Sequence, residues 1–362
     1  MGFFDDYISC TAAGSGSQNW FSPDTPDGKI TCRTFYRLSR DVETCALMYS
    51  NLIDSTYADG ARSHANFVTG EWDIHSLRAG KVTSCAVDIC PEPERLTDLT
   101  FDLKCSKHVM AGELFYTDPF GLTAKKGEYL CVEMTFSGAR VPCHTESLLP
   151  SFRLEDGCWR PCTDMPYPCL VASPRGKELR LGFLGDSITQ GIGTEPNSYD
   201  HVAALVQDAL GEKTAVWNLG LGYGRAQDAA LDGSWLYRAR QNDLVCVCFG
   251  VNDLFQLGSA EGLKKDLAAI VKKLRESGVR VLIQTVPPFD YAGGTLEMWR
   301  DVNGYIRNEL SKTADAVFDT VPVLGGNAPG SARFGPHPDA AGNAAWARAL
   351  LEAIRGVTEK MG

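Results

Sequence analysis

From Leu179 onward, five short apolar runs alternate with five segments of helical periodicity, and that alternation restricts the fold more than any other feature. The runs occupy residues 179–185, 214–219, 243–249, 279–286 and 314–321. Each is nearly continuous in apolar residues, the pattern of a strand whose sheet is covered on both faces. The intervening segments, 198–210, 225–240, 259–277, 296–310 and 339–354, keep apolar residues on one helical face. In 259–277 that face is Leu263, Leu267, Ile270, Val271 and Leu274. The expectation for residues 177–362 is a five-stranded parallel sheet layered with helices. Such sheets bind ligands beyond the carboxyl ends of their strands, so the residues just after each run carry the chemistry.

The first 176 residues read differently. Short alternating runs at 31–38, 45–52, 99–103, 129–136 and around Phe152 are separated by turn signals. These signals are Ala58-Asp59-Gly60, Arg78-Ala79-Gly80 and Lys126-Gly127-Glu128. Long helical periodicity is missing, so a jelly-roll-like β-sandwich with an N-terminal extension is expected for 1–176. Prolines 161, 166, 168 and 174, followed by Arg175-Gly176-Lys177-Glu178, read as a linker.

Composition excludes several classes of function. Thirty-five basic against forty-five acidic residues leave a net charge of −10. That balance argues against a nucleic acid or an anionic membrane as partner, because few counterions would be released on binding. No run of 18 apolar residues is present, and MGFFDDYISC lacks a basic and apolar leader pattern. The thirteen cysteines are odd in number and form no Cys-x-x-Cys pair, which favours reduced thiols in a cytoplasmic protein over disulfides or zinc. Neither a Gly-x-x-x-x-Gly-Lys loop nor a Gly-x-Ser-x-Gly elbow occurs. No cofactor or metal is expected, and a homo-oligomer stays open.

The residues at the strand ends form a chemical set. After the first run comes Gly185-Asp186-Ser187-Ile188-Thr189-Gln190-Gly191, and after the second Asn218-Leu219-Gly220-Leu221-Gly222-Tyr223-Gly224. Gly250-Val251-Asn252-Asp253 follows the third run, and Gly335-Pro336-His337-Pro338 precedes the last helix. A serine hydroxyl becomes a nucleophile when a base such as histidine removes its proton. Acyl transfer also builds an oxyanion, which needs donors placed where the charge develops. Ser187 N–H, Gly222 N–H and the Asn252 amide are the candidate donors. Tyr223, Phe289, Tyr291 and Trp299 cluster near strand ends; core packing is the favoured reading of such a cluster, with Tyr223 and Phe289 as candidate substrate contacts.

GDSITQG, NLGLG, GVND and the late His-Pro together resemble the four blocks of the SGNH (GDSL-like) hydrolases, over residues 179–358. The resemblance implies a flavodoxin-like sheet and serine esterase chemistry. It makes Ser187 the nucleophile, His337 the base, and Gly222 and Asn252 the oxyanion donors, with Gly224 as the other glycine that fits. That family usually carries an aspartate three residues before the histidine; here the position is Phe334. A Ser187–His337 dyad, or a substitute acid in Asp339 or Asp290, follows as the expectation. A β-sandwich before such a domain resembles two-domain carbohydrate acetyl esterases. The leading expectation is removal of O-acetyl groups from xylo- or manno-oligosaccharides. An esterase or lipase of small acyl esters or lysolipids, and a catalytically silent sugar-binding protein, are the alternatives.

Overall fold

In the computed structural model, which describes residues 2–14, 16–21, 28–55, 66–325 and 337–361, the chain divides into two units, Met1–Glu178 and Leu179–Gly362. The first is a sandwich of two antiparallel sheets. One sheet orders Cys158–Pro161, Ser151–Glu155, Ile30–Arg37, Tyr129–Gly138, Trp72–Val82 and Thr97–Asp98, with Lys107–Val109 also on Trp72–Val82. The other orders Tyr7–Ser9, Leu170–Pro174, Val42–Ser50 and Leu114–Tyr116, with Phe120–Ala124 also on Val42–Ser50. Aromatic rings join the sheets: Trp72 meets Phe115 of the other sheet edge-on at 6.2 Å, and Phe136 of its own sheet at 6.0 Å. Such ring pairs favour edge-to-face packing, which the quadrupoles of the two rings reward.

Three local expectations fail here. Residues 99–103 form no strand, because Asp102 and Leu103 take φ of 50° and 65° and turn the chain. Arg78-Ala79-Gly80 is no turn but lies within Trp72–Val82, the longest strand among the described residues. Glycine is needed there because the carbonyl of Arg95 lies against it, where any Cβ would collide. The proline-bearing segment is no free linker either: Leu170, Val171 and Ala172 are buried, and Leu170–Pro174 is a strand inside the sandwich. The turn at Gly127 is present, with φ of 89°. Ala58-Asp59-Gly60 lies outside the described residues.

The second unit is the doubly covered parallel sheet. β1 (Leu179–Gly185), β2 (Thr214–Gly220), β3 (Leu244–Cys248), β4 (Arg280–Gln284) and β5 (Ala316–Phe318) pair in the order β2-β1-β3-β4-β5. That is the flavodoxin-like order, with its switch point at β1 and β3. All residues of β2 and β3 are buried, Cys246 and Cys248 among them. The helices are α1 (Ser187–Gln190), α2 (Val202–Leu210), α3 (Ala226–Ala230), α4 (Ser234–Ala239), α5 (Ala260–Glu276), α6 (Gly293–Asn308) and α7 (Ala340–Thr358). In α5 the Ser259 side chain accepts from Gly262 N–H, and the five apolar residues named from periodicity are the buried ones. Residues 225–240 form two helices rather than one. The chain extends at Leu231, and Asp232 is held by Arg240 and Lys273 at 2.7 and 2.8 Å.

Candidate active site

β1 ends at Gly185, which passes so close to Thr189 and the Cys248 carbonyl that no Cβ fits. Asp186 then caps α1, its Oδ1 accepting from Ile188 N–H at 3.0 Å. Ser187 opens that single helical turn, and its Oγ lies 2.9 Å from His337 Nε2. The two residues are 150 positions apart in sequence. Their separation is the reach a general base needs to take a hydroxyl proton.

His337 is held from both sides. Behind it, Asn343 donates from Nδ2 to the Pro338 carbonyl at 2.9 Å, while its Oδ1 accepts from Val202 N–H at 2.9 Å. That fully buried amide ties the histidine segment to the start of α2. Gly193, at φ of 106°, packs its backbone against the same segment; a Cβ there would stand 2.5 Å from the Pro338 oxygen and 2.9 Å from His337 Cβ. The edge of the imidazole meets the Phe289 ring, with centroids 5.4 Å apart and planes at 81°.

Asp339 is engaged by its own helix. Its Oδ1 accepts from Gly342 N–H at 2.9 Å and its backbone carbonyl from Asn343, so it is the N-cap of α7. Asp290 is exposed on the loop after β4. Phe334 lies outside the described residues.

The oxyanion set also needs correction at one member. Gly222 N–H donates to Gln190 Oε1 at 2.6 Å, so it is committed and would reach an oxyanion only by breaking that bond. Gly224 N–H donates to the Leu221 carbonyl at 3.0 Å. Asn252 donates one Nδ2 hydrogen to the Gly224 carbonyl at 3.0 Å, which leaves its second hydrogen for a ligand. Gln190 thus stitches the glycine turn to α1, helped by Asn218, which donates to the Gln190 carbonyl and accepts from Gly220 N–H.

Two buried carboxyls underlie these donors. Asp253 Oδ2 and Oδ1 accept from Ala226 and Gln227 N–H at 3.1 and 3.4 Å. Burial pushes Asp253 up to about 7, with Asp228 adding to the rise. Burial, with the neighbouring Asp253 adding to the rise, also lifts Asp186 to about 7. Asp186 Oδ2 has no hydrogen-bond partner. Both act as structural acceptors, as the sequence suggests.

Among the aromatic candidates, Tyr291 and Trp299 are core: both are buried, and Trp299 Nε1 donates to the Val286 carbonyl at 2.9 Å. Phe289 is half-buried beside His337. Tyr223 is 39% exposed, at φ of 61° in the glycine turn. Periodicity and motif reading miss Gln190, Gly193, Asn343 and Phe255. Gln190 sits within GDSITQG itself, so its buried amide was the one signal available. His201 caps α2 through Nδ1, accepting from Ala204 N–H at 3.4 Å. Among the described residues, no group of three or more His, Cys, Asp or Glu could hold a metal ion. Among them, too, no helix is long and apolar enough to cross a membrane.

Solved structures resemble the chain at low identity. A family two carbohydrate esterase from Cellvibrio japonicus aligns over 98% of both chains at 14% identity, with a TM-score of 0.39. A carbohydrate acetylesterase family member from Sinorhizobium meliloti covers 49% of this chain and 98% of its own, at 23% identity and a TM-score of 0.39. A psychrotrophic esterase from Pseudoalteromonas sp. covers 50% of this chain and 100% of its own, at 15% identity and a TM-score of 0.41. No curated protein matches the chain. Residues 183–345 match the model of the GDSL-like Lipase/Acylhydrolase family, a stretch that contains all four strand-end blocks. The second unit is therefore a GDSL-like lipase/acylhydrolase domain, a carboxylic ester hydrolase.

Proposed function

We propose that this protein removes O-acetyl groups from short carbohydrates through an acyl-enzyme on Ser187. The observation that carries the reading is the 2.9 Å contact between Ser187 Oγ and His337 Nε2 at the carboxyl end of the sheet. His337 takes the hydroxyl proton as Oγ attacks the ester carbonyl. Ser187 N–H and the second Nδ2 hydrogen of Asn252 receive the oxyanion. His337 then returns the proton to the leaving alkoxide, and water, activated by the same imidazole, cleaves the acyl-enzyme. The carbohydrate assignment is supported by the succession of a β-sandwich and a GDSL-like unit, by a net charge of −10 that suits a neutral substrate, and by Phe289 beside His337.

A second reading, an ester of longer acyl chain, is favoured by Phe255 and Leu257, which are 50% and 41% exposed just past Asn252. The test is acetate release from acetylated xylo- and manno-oligosaccharides, with acetyl, butyryl and octanoyl esters alongside. Ser187→Ala should lower the rate by at least about 10³-fold. Equal rates for the two proteins would refute the mechanism, and a preference for octanoyl would replace the substrate assignment. Failure of Ser187 to label with a phosphonyl fluoride would leave the silent sugar-binding alternative.

A further inference from the structure

The segment after Asn252 is an unusual one. Asp253–Leu257 forms a wide helical turn, closed by Gly258 N–H donating to the Asp253 carbonyl at 3.2 Å, and Gly258 ends it at φ of 59°. Such π-type turns are uncommon and concentrate at functional sites. This one sets Phe255 outward, 50% exposed, yet in contact with two other rings. Phe255 stacks on Tyr291 at 5.4 Å and 17°, and meets Phe289 at 5.8 Å and 61°. Tyr291 in turn stacks on Trp299 at 5.5 Å. A continuous set of rings therefore runs from the imidazole of His337, through Phe289, to an open face at Phe255. Its base, Tyr291 and Trp299, is buried and hydrogen-bonded to the Pro287 and Val286 carbonyls.

The chemistry assigns a side to this wall. His337 protonates the leaving alkoxide, so the alcohol half of the ester lies next to the imidazole, whereas the carbonyl oxygen lies toward Asn252 and Ser187 N–H. Rings that flank the imidazole flank the alcohol. We infer that Phe255 and Phe289 form the docking face for a ring-bearing leaving alcohol, and so select the alcohol rather than the acyl half of the substrate. A sugar or an aryl ring presents a flat C–H or π face that such a wall can bury. The inference rests on the ester chemistry proposed above and names which half of the substrate the exposed rings read.

The experiment compares wild type, Phe255→Ala and Phe255→Trp on ethyl acetate, benzyl acetate and acetylated xylobiose, with benzyl butyrate as the acyl control. Phe255→Ala should lower the benzyl-to-ethyl ratio of kcat/KM by about tenfold, chiefly through KM. Phe255→Trp, which keeps a flat face, should hold that ratio within about threefold of wild type. The acetate-to-butyrate ratio on the benzyl alcohol should not move. An unchanged benzyl-to-ethyl ratio, or a shift in the acyl ratio instead, would overturn the inference. A wild type inert on acetylated xylobiose, with the benzyl-to-ethyl ratio still responding to Phe255→Ala, would sink the carbohydrate reading and leave the alcohol-side wall standing. A wild type inert on every ester would overturn both.

Discussion

Replacing Gly193 by alanine isolates how tightly the base must be placed. The added Cβ would sit 2.5 Å from the Pro338 oxygen, against an ordinary contact of 3.4 Å or more. The histidine segment, or the glycine loop, must therefore yield by about 0.9 Å, a close-packed interior offering few ways to absorb it. The backbone at φ of 106° adds strain of its own. Because Asn343 fixes Pro338 from behind, part of that shift falls on His337 and opens the 2.9 Å bond to Ser187. A misplacement of about 1 Å in a catalytic group costs roughly 10²-fold, or about 2.7 kcal/mol in the barrier. Turnover of p-nitrophenyl acetate should fall by about that factor, with KM little changed. Gly211→Ala is the control: its φ is 68°, and no atom stands within 4 Å of the new Cβ. It should cost stability without touching kcat. The reasoning fails if Gly193→Ala turns over like wild type, or if its loss merely tracks a drop in melting temperature that Gly211→Ala shares.

Three further outcomes follow from the same geometry. Asp339→Ala should cost about 1 kcal/mol of stability through the lost cap and leave kcat within about threefold; a loss near 10⁴ would restore Asp339 as the acid orienting His337. Gln190→Ala should lower kcat by about tenfold, because Gly222 N–H loses its acceptor, and Gln190→Glu should recover most of the rate; a faster Gln190→Ala enzyme would show that Gly222 N–H serves the oxyanion unaided. Asp186→Asn keeps the cap acceptor and removes an ionisable group. Asp186 is raised from 3.8 to about 7 in the folded chain, so wild-type stability falls as pH rises through that window and levels off above it. The melting-temperature advantage of Asp186→Asn over wild type should grow from about pH 4 to 7 and level off above that, and a pH-independent difference would count against the buried, proton-holding carboxyl.

The second unit was legible because its signal is local. A strand buried on both faces must be apolar throughout, so each of the five runs announces itself without knowledge of its neighbours. Its ends are less certain: β5 keeps only Ala316–Phe318 of the run from 314 to 321. In the sandwich the signal is shared between strands. Trp72–Val82 carries Asp73, His75 and Arg78 along one strand, and its register with Tyr129–Gly138 shifts between Thr135 and Phe136. Polar residues there read as loop until their partners are known. His75 bonds Ser137 Oγ at 2.8 Å, and Glu133 binds both Arg33 and Arg78.

The candidate site divides along the same line. Ser187, Asn252 and His337 stand out in the sequence because each lies within four residues of a strand end or a helix start, where the topology brings it toward the sheet edge. Gly222 and Phe255 depend on what another segment does, and Asp339 on the helix it begins. The donor at Gly222 is spent by a glutamine 32 positions earlier. Asp339, placed two residues from the base, is claimed by its own helix, because a carboxylate with a free N–H three residues ahead has a nearer partner than the imidazole. Phe255 reads as one more apolar residue until the wide turn swings it onto Phe289 and Tyr291. Sequence therefore brings out the candidate reacting groups more readily than the loop residues packed beside them. The former follow from the order of strands, the latter from loop conformations that place an aromatic ring on one side of the histidine or the other.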